Sequence, residues 1–151
     1  MIPSVDFCGL KINRLIVGAN PFGGFSHQSK TRDAEMIAYH TIEQIHETWH
    51  RSEKAGINTM ITNNETPRVM QAVEQYFSGG GTLQWIAQVN NRSKPNMSDS
   101  VDEVVEMGCK ALYFHGGKVD RLYAEQDENT LREWVDHAKS CGVLVGVAAH
   151  A

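Results

Sequence analysis

Two histidines stand at the ends of apolar runs, His115 in "ALYFHG" and His150 in "LVGVAAH". Imidazole titrates near neutral pH and serves as general acid, general base or metal ligand, so these two positions are the candidate catalytic pair. Other polar residues recur at matching places: Asn20 after "LIVGA", then Asn63, Asn64 and Glu65 after "NTMIT", then Gln88 and Asn90 in "LQWIAQVN". Adjacent parallel strands lie about 4.8 Å apart, so neighbouring tips can bring His115 and His150 toward one point. There they could share a divalent metal, with Glu65 or a residue beyond Ala151 as a third ligand, or divide acid and base roles. Asn20, Asn63, Glu65 and Gln88 are candidate substrate contacts. The competing expectation is that such amides satisfy one another and the loop backbone. A rim of donors and acceptors with few formal charges suits a small polar substrate, sugar-like or carbonyl-bearing.

The segment "PFGGFSHQSKTRDAEMIAY" (21–39) is much longer than the 2–6 residues usual between a strand and its helix. Pro21, Gly23 and Gly24 could hold Phe22 and Phe25 over a ligand, with His27, Gln28 and Arg32 as polar contacts. "TRDAEMIAYH" can itself be helix, and a short helix there would still act as a lid. His46 and His50 are four apart but sit among Glu43, Glu47, Arg51 and Glu53, which reads as a solvated helix face. His40 and His137 read as surface residues.

The elements that must position these side chains form a repeat. "EKAGINTMITN", "SGGGTLQWIAQ", "EMGCKALYFHG" and "KSCGVLVGVAAH" each place a glycine just before an apolar strand. Gly56, Gly108 and Gly142 read as the left-handed residues that close helices, with "SGGG" at 78–81 doing the same more loosely. Between the strands lie helix starts. Thr41 with Gln44 is a capping box ahead of Ile42, Ile45 and Trp49. Thr66-Pro67 precedes a stripe of Val69, Val73 and Phe77. Ser100 with Glu103 and Thr130 with Glu133 open two more helices, the first buried through Val101, Val104 and Val105, the second through Leu131, Trp134, Val135 and Ala138.

The strands are mostly apolar runs, not clean alternations, which suits parallel strands covered on both faces. "VDFCGLKINRL" reads as a hairpin around Gly9 that could plug the bottom of a barrel. The expected fold is α/β: an N-terminal hairpin plus about five parallel βα units of a TIM (β/α)8 barrel, in one domain over 1–151. Eight units need about 250 residues, so the chain looks truncated. "GANPFGGFSH" lacks the G-x-G-x-x-G spacing of a dinucleotide-binding sheet.

The formal charge is −4 with both signs interspersed, and no basic stripe could follow a phosphate backbone, so nucleic acid is excluded as a partner. No apolar stretch is long enough for a membrane span, and the start is not a signal peptide. Cys8, Cys109 and Cys141 are far apart and odd in number, reading as buried thiols of a cytoplasmic protein. The triplets at Asn64, Asn91 and Asn96 would be glycosylation sites only in a secreted one. If the chain ends at Ala151, the barrel would be completed between copies, as a homo-oligomer.

"LKINRLIVGANPFGG" and "SEKAGINTMITNNE" resemble the opening and second strand of aldo-keto reductases. The resemblance implies a (β/α)8 barrel with an N-terminal hairpin. That family uses aspartate and tyrosine after the second strand, lysine on the third and histidine on the fourth. Here the corresponding places hold Asn63, Asn64 and Glu65, then Gln88, and only His115 matches. "GANPFGGFSHQS" and "LQWIAQ" are similar to bacterial barrel proteins related to that family and lacking its redox tetrad. Three readings follow. The first is a barrel enzyme of lyase, isomerase or hydrolase type, using histidine acid–base or metal-assisted chemistry on a small polar substrate. The second is an NADPH-dependent reductase whose proton donor is not seen in this sequence, and the third a non-enzymatic half-barrel built for binding.

Overall fold

A two-residue turn joins the first two strands. In the computed structural model, which describes residues 2–91 and 94–150, β1 (Ser4–Phe7) and β2 (Leu10–Asn13) pair antiparallel, Ser4 opposite Asn13. Cys8 and Gly9 both take positive φ, 52° and 88°, the combination that matches a tight turn to the twist of its strands. Asp6 Oδ1 accepts from the Gly9 N–H at 3.1 Å. Cys8 is therefore exposed at a turn, not buried as its apolar neighbours suggest. The triplet at Asn91 runs into residues 92 and 93, outside the described residues.

Four strands form one parallel sheet in the order β3-β4-β5-β6: β3 (Thr59–Asn63), β4 (Gln84–Val89), β5 (Ala111–Phe114) and β6 (Leu144–Val147). The chain divides into two compact units, Met1–Thr62 with Thr66–Gln84, and Asn63–Glu65 with Trp85–Ala151.

In the first unit the hairpin sits where strands enter the sheet. Asn58 Nδ2 and Gln84 Nε2 both donate to Lys11 O, at 2.8 and 2.9 Å, and Asn13 N donates to Asn58 Oδ1 at 2.9 Å. The expected first strand, "LIVGAN", is reduced to one parallel bridge, Val17 to Met60. The physical reason is Pro21, whose fixed φ starts a helical turn, α1 (Asn20–Gly23), and draws the chain out of the ladder. α2 (Lys30–Tyr39) follows, capped by Ser29 and burying none of its residues.

Behind them, α3 (Ile42–Lys54) forms with the expected capping box: Gln44 N donates to Thr41 Oγ1 at 3.3 Å and Thr41 N to Gln44 Oε1 at 3.0 Å. Its Ile45 and Trp49 are fully buried. α4 (Pro67–Ser78) buries Val69, Ala72, Val73 and Tyr76, while Phe77, expected in the stripe, is half-buried. Tyr76 takes the inner position because its ring packs on Trp49 (5.1 Å) while its hydroxyl reaches Glu53.

In the second unit β4, β5 and β6 run in register, Gln88 beside Tyr113 beside Gly146. Trp85, Ala87 and Val89 are completely buried on one side of β4, and Gln88 alternates to the other. α5 (Met97–Glu106) is capped by Asn96, whose Oδ1 accepts from Asp99 N at 2.9 Å. α7 (Glu128–Ser140) is capped by Asp127, whose Oδ1 accepts from Thr130 N at 3.1 Å. Both helices thus begin about one turn before the expected Ser100 and Thr130, because an Asx side chain upstream already satisfies the free N–H groups. Gly56, Gly108 and Gly142 have φ of 87°, 92° and 79°, each just after its helix as expected. In "SGGG" Gly80 is the left-handed residue. An unforeseen helix, α6 (Gly116–Ala124), follows β5 directly.

Candidate active site

At the end of β5 the chain turns straight into α6, and His115 is the N-cap: its Nδ1 accepts from Gly117 N at 3.1 Å. That contact assigns the neutral ring's proton to Nε2, so His115 offers a donor outward. Beyond β6, His150 is clamped twice by Asp120 of α6. Its backbone N–H donates to Asp120 Oδ1 at 3.1 Å and its Nδ1 meets Asp120 Oδ2 at 2.6 Å. A carboxylate accepts only, so Nδ1 carries the proton and the lone pair of the neutral ring sits on Nε2. Hydrogen bonds from His150 hold the Asp120 carboxyl below its ordinary value, and the field of His115 acts in the same direction.

The two rings therefore present opposite faces of imidazole chemistry, one a donor and one an acceptor. Gly116 makes the arrangement possible: a Cβ there would fall 2.7 Å from His150 Cε1. Asp120 is the functional candidate that reading the sequence misses. Its only signal is an acidic residue shortly after a strand-tip histidine, inside a helix that was not expected.

The amide-rich tips divide. Asn64 and Asn90 lock each other: Asn64 Nδ2 donates to Asn90 O at 2.9 Å, and Asn90 N to Asn64 Oδ1 at 2.8 Å. These are structural pairings. Asn63 Oδ1 turns the chain by accepting from Glu65 N at 3.0 Å, and Glu65 Oε1 accepts from Asn90 Nδ2. Among the described residues Asn90 Oδ1 is buried without a hydrogen-bond partner. Gln88 is half-buried on the sheet face opposite the Trp85 side, beside Tyr113. Burial holds the Tyr113 phenol above its usual range, so it stays protonated. Tyr113 is a second residue that reading the sequence misses, although the alternation in "ALYF" sets it on the face opposite Leu112 and Phe114.

Of the substrate contacts expected in the first unit, Phe22 is placed differently. Phe22 is buried against His40 (5.1 Å) and Trp49 (5.9 Å), so its ring is core and does not stand over a ligand. Arg68 ties the segment down by donating to Phe22 O and Ile37 O, both at 2.9 Å. Asn20 and His27 are exposed and 3.5 Å apart. His27 holds φ at 56°, which is strained for a residue with a Cβ.

Among the described residues, His115 and His150 belong to no group of three metal-ligating side chains within 4.8 Å of one another. Among the described residues, the one group of His, Cys, Asp or Glu side chains within 4.8 Å of one another is Asp102, His137 and Cys141. His137, expected at the surface, meets Asp102 Oδ1 at 2.7 Å. The expected solvated face of α3 also needs correction, since His46 Nε2 lies 2.8 Å from Ala72 O and Glu53 points inward.

These elements define an α/β fold of the aldo-keto reductase kind. A solved structure described as "Putative aldo-keto reductase from Pseudomona aeruginosa" matches with a TM-score of 0.65 over 97% of this chain at 15% identity. The chain spans 58% of that protein's length. No family model and no curated protein matches the sequence. Among the described residues no helix is long and apolar enough to cross a membrane.

Proposed function

We propose that this chain belongs to a barrel enzyme that moves protons on a small polar substrate, sugar-like or carbonyl-bearing. His150 Nε2 is the base and His115 Nε2–H the donor. The observation that carries this is the pair of fixed tautomers, with Asp120 orienting one ring and the Gly117 amide the other. A positioned acid or base contributes about 10²–10⁴-fold to such a step. Gln88 and Glu65 would orient the substrate, and the buried Asn90 Oδ1, without a partner among the described residues, is a further acceptor near them in sequence. Proton transfer next to a carbonyl, as in an isomerase or lyase, uses this arrangement directly.

The test is hydrogen–deuterium exchange next to the carbonyl of small aldoses and ketoses, followed by NMR in D2O with the full chain. Exchange should fall at least about 100-fold in His150→Ala and in His115→Ala while the circular dichroism is unchanged. Undiminished exchange in both variants refutes the assignment.

A second reading, an NADPH-dependent reductase, draws on Tyr113. A phenol held protonated by burial is a proton donor of the kind hydride transfer needs, and Gln88 stands beside it. NADPH binding to the full chain, with turnover lost in Tyr113→Phe, would favour it. No saturable NADPH binding would end it.

A further inference from the structure

His137 and Cys141 lie four apart at the C-terminal end of α7, and Cys141 N donates to His137 O at 3.2 Å, so the helical turn persists and both side chains share one face. Asp102 of α5 completes the group. Its Oδ1 is 2.7 Å from His137 Nε2 and 3.8 Å from Cys141 Sγ, so nitrogen and sulfur converge on one oxygen. The His137 and Asp102 side chains are 33% and 49% exposed, which leaves the cluster open to solvent on one side.

We propose that Asp102, His137 and Cys141 form a binding site for a divalent metal ion, with zinc the best fit and water as the fourth ligand. Bond lengths of about 2.0–2.3 Å at tetrahedral angles require ligand atoms about 3.3–3.6 Å apart. The observed separations bracket that range, so loading asks the histidine–aspartate contact to open by about 0.6 Å and the sulfur to close by a few tenths. One imidazole, one thiolate and one carboxylate neutralise a 2+ charge, and the mixed N, S, O set suits a borderline ion better than magnesium or calcium. The ion would replace the protons now held between these groups. It would also tie α5 to α7. The site involves none of the residues assigned to proton transfer above.

The test is cobalt titration of the metal-stripped full chain, read by the thiolate-to-cobalt charge-transfer band and reversed by zinc. One equivalent should bind. The band should vanish in Cys141→Ser and persist in Cys8→Ser, and Asp102→Asn and His137→Gln should each weaken binding by more than about 10-fold. As a check that needs no variant, zinc should slow alkylation of Cys141, mapped by mass spectrometry, and leave Cys8 unaffected. No thiolate band, a band that survives Cys141→Ser, or unchanged affinity in both Asp102→Asn and His137→Gln overturns the site.

Discussion

Glu53 is the most exacting place to test the packing of the first unit. Its Oε1 receives three donors, Tyr76 Oη at 2.6 Å, Thr82 N at 2.7 Å and Thr82 Oγ1 at 2.6 Å, while Oε2 meets His50 Nδ1 at 2.8 Å. Burial alone would raise its pKa, but the hydrogen bonds from Thr82, Tyr76 and His50 outweigh that and lower it from 4.5 to about 2. At about 1.4 kcal/mol per pH unit, the difference amounts to about 3 kcal/mol of stability. The side chain is only 21% exposed, so solvent screening takes little from this. A carboxylate with a depressed pKa stabilises the fold fully above its unfolded value, 4.5, and loses that contribution as pH falls toward about 2.

Glu53→Gln in the full chain should therefore lower the stability from urea unfolding by about 3 kcal/mol at neutral pH. The gap between variant and parent should shrink as pH falls from 4.5 toward about 2. Tyr76→Phe removes one donor and should cost about 1–1.5 kcal/mol. A Glu53→Gln penalty that stays constant across that pH range, or one below about 1 kcal/mol at neutral pH, would show that the carboxylate is not what pins α3 to the loop after α4.

Three shorter predictions follow from the same kind of observation. Ser100 is fully buried and its hydroxyl has no partner among the described residues, so Ser100→Ala should be neutral or stabilising, whereas Asn96→Ala should cost about 1 kcal/mol; urea midpoints of the two variants decide it, and the reverse order would restore Ser100 as the cap. The Cys109 thiol is pushed up to about 12 by burial, so disulfide-exchange reagents at neutral pH should modify Cys8 while Cys109 reacts only after unfolding. Gly116→Ala should displace the His150 ring by steric contact, lowering exchange activity by at least about 10-fold with little change in helix content; full activity would mean that the ring position does not matter.

The four strands of the parallel sheet were legible because each is mostly apolar and follows a glycine-marked helix end, two signals contained within about ten residues. The capping box at Thr41 was legible for the same reason. What went astray lay where a rival signal stood one turn away. Asn96 and Asp127 start α5 and α7, although Ser100 and Thr130 carry acidic residues at the right spacing. A cap is decided by whichever side chain reaches the free amides first, and an Asx residue upstream wins. Pro21 overrode the apolar run before it in the same way, turning the end of an expected strand into α1.

The candidate site shows a different limit. Position along a strand placed His115 and His150 at tips, but the chemistry of an imidazole depends on which nitrogen holds the proton. That depends on partners: for His115 a backbone amide two residues on, for His150 a carboxylate 30 residues back on α6. The cluster at His137 repeats the point. A histidine and a cysteine four apart on a helix look inert until Asp102, 35 residues upstream of His137, is brought alongside. Composition and periodicity report which residues are buried together. They carry no record of a carboxylate delivered from a neighbouring helix, and both of this chain's best chemical sites depend on one.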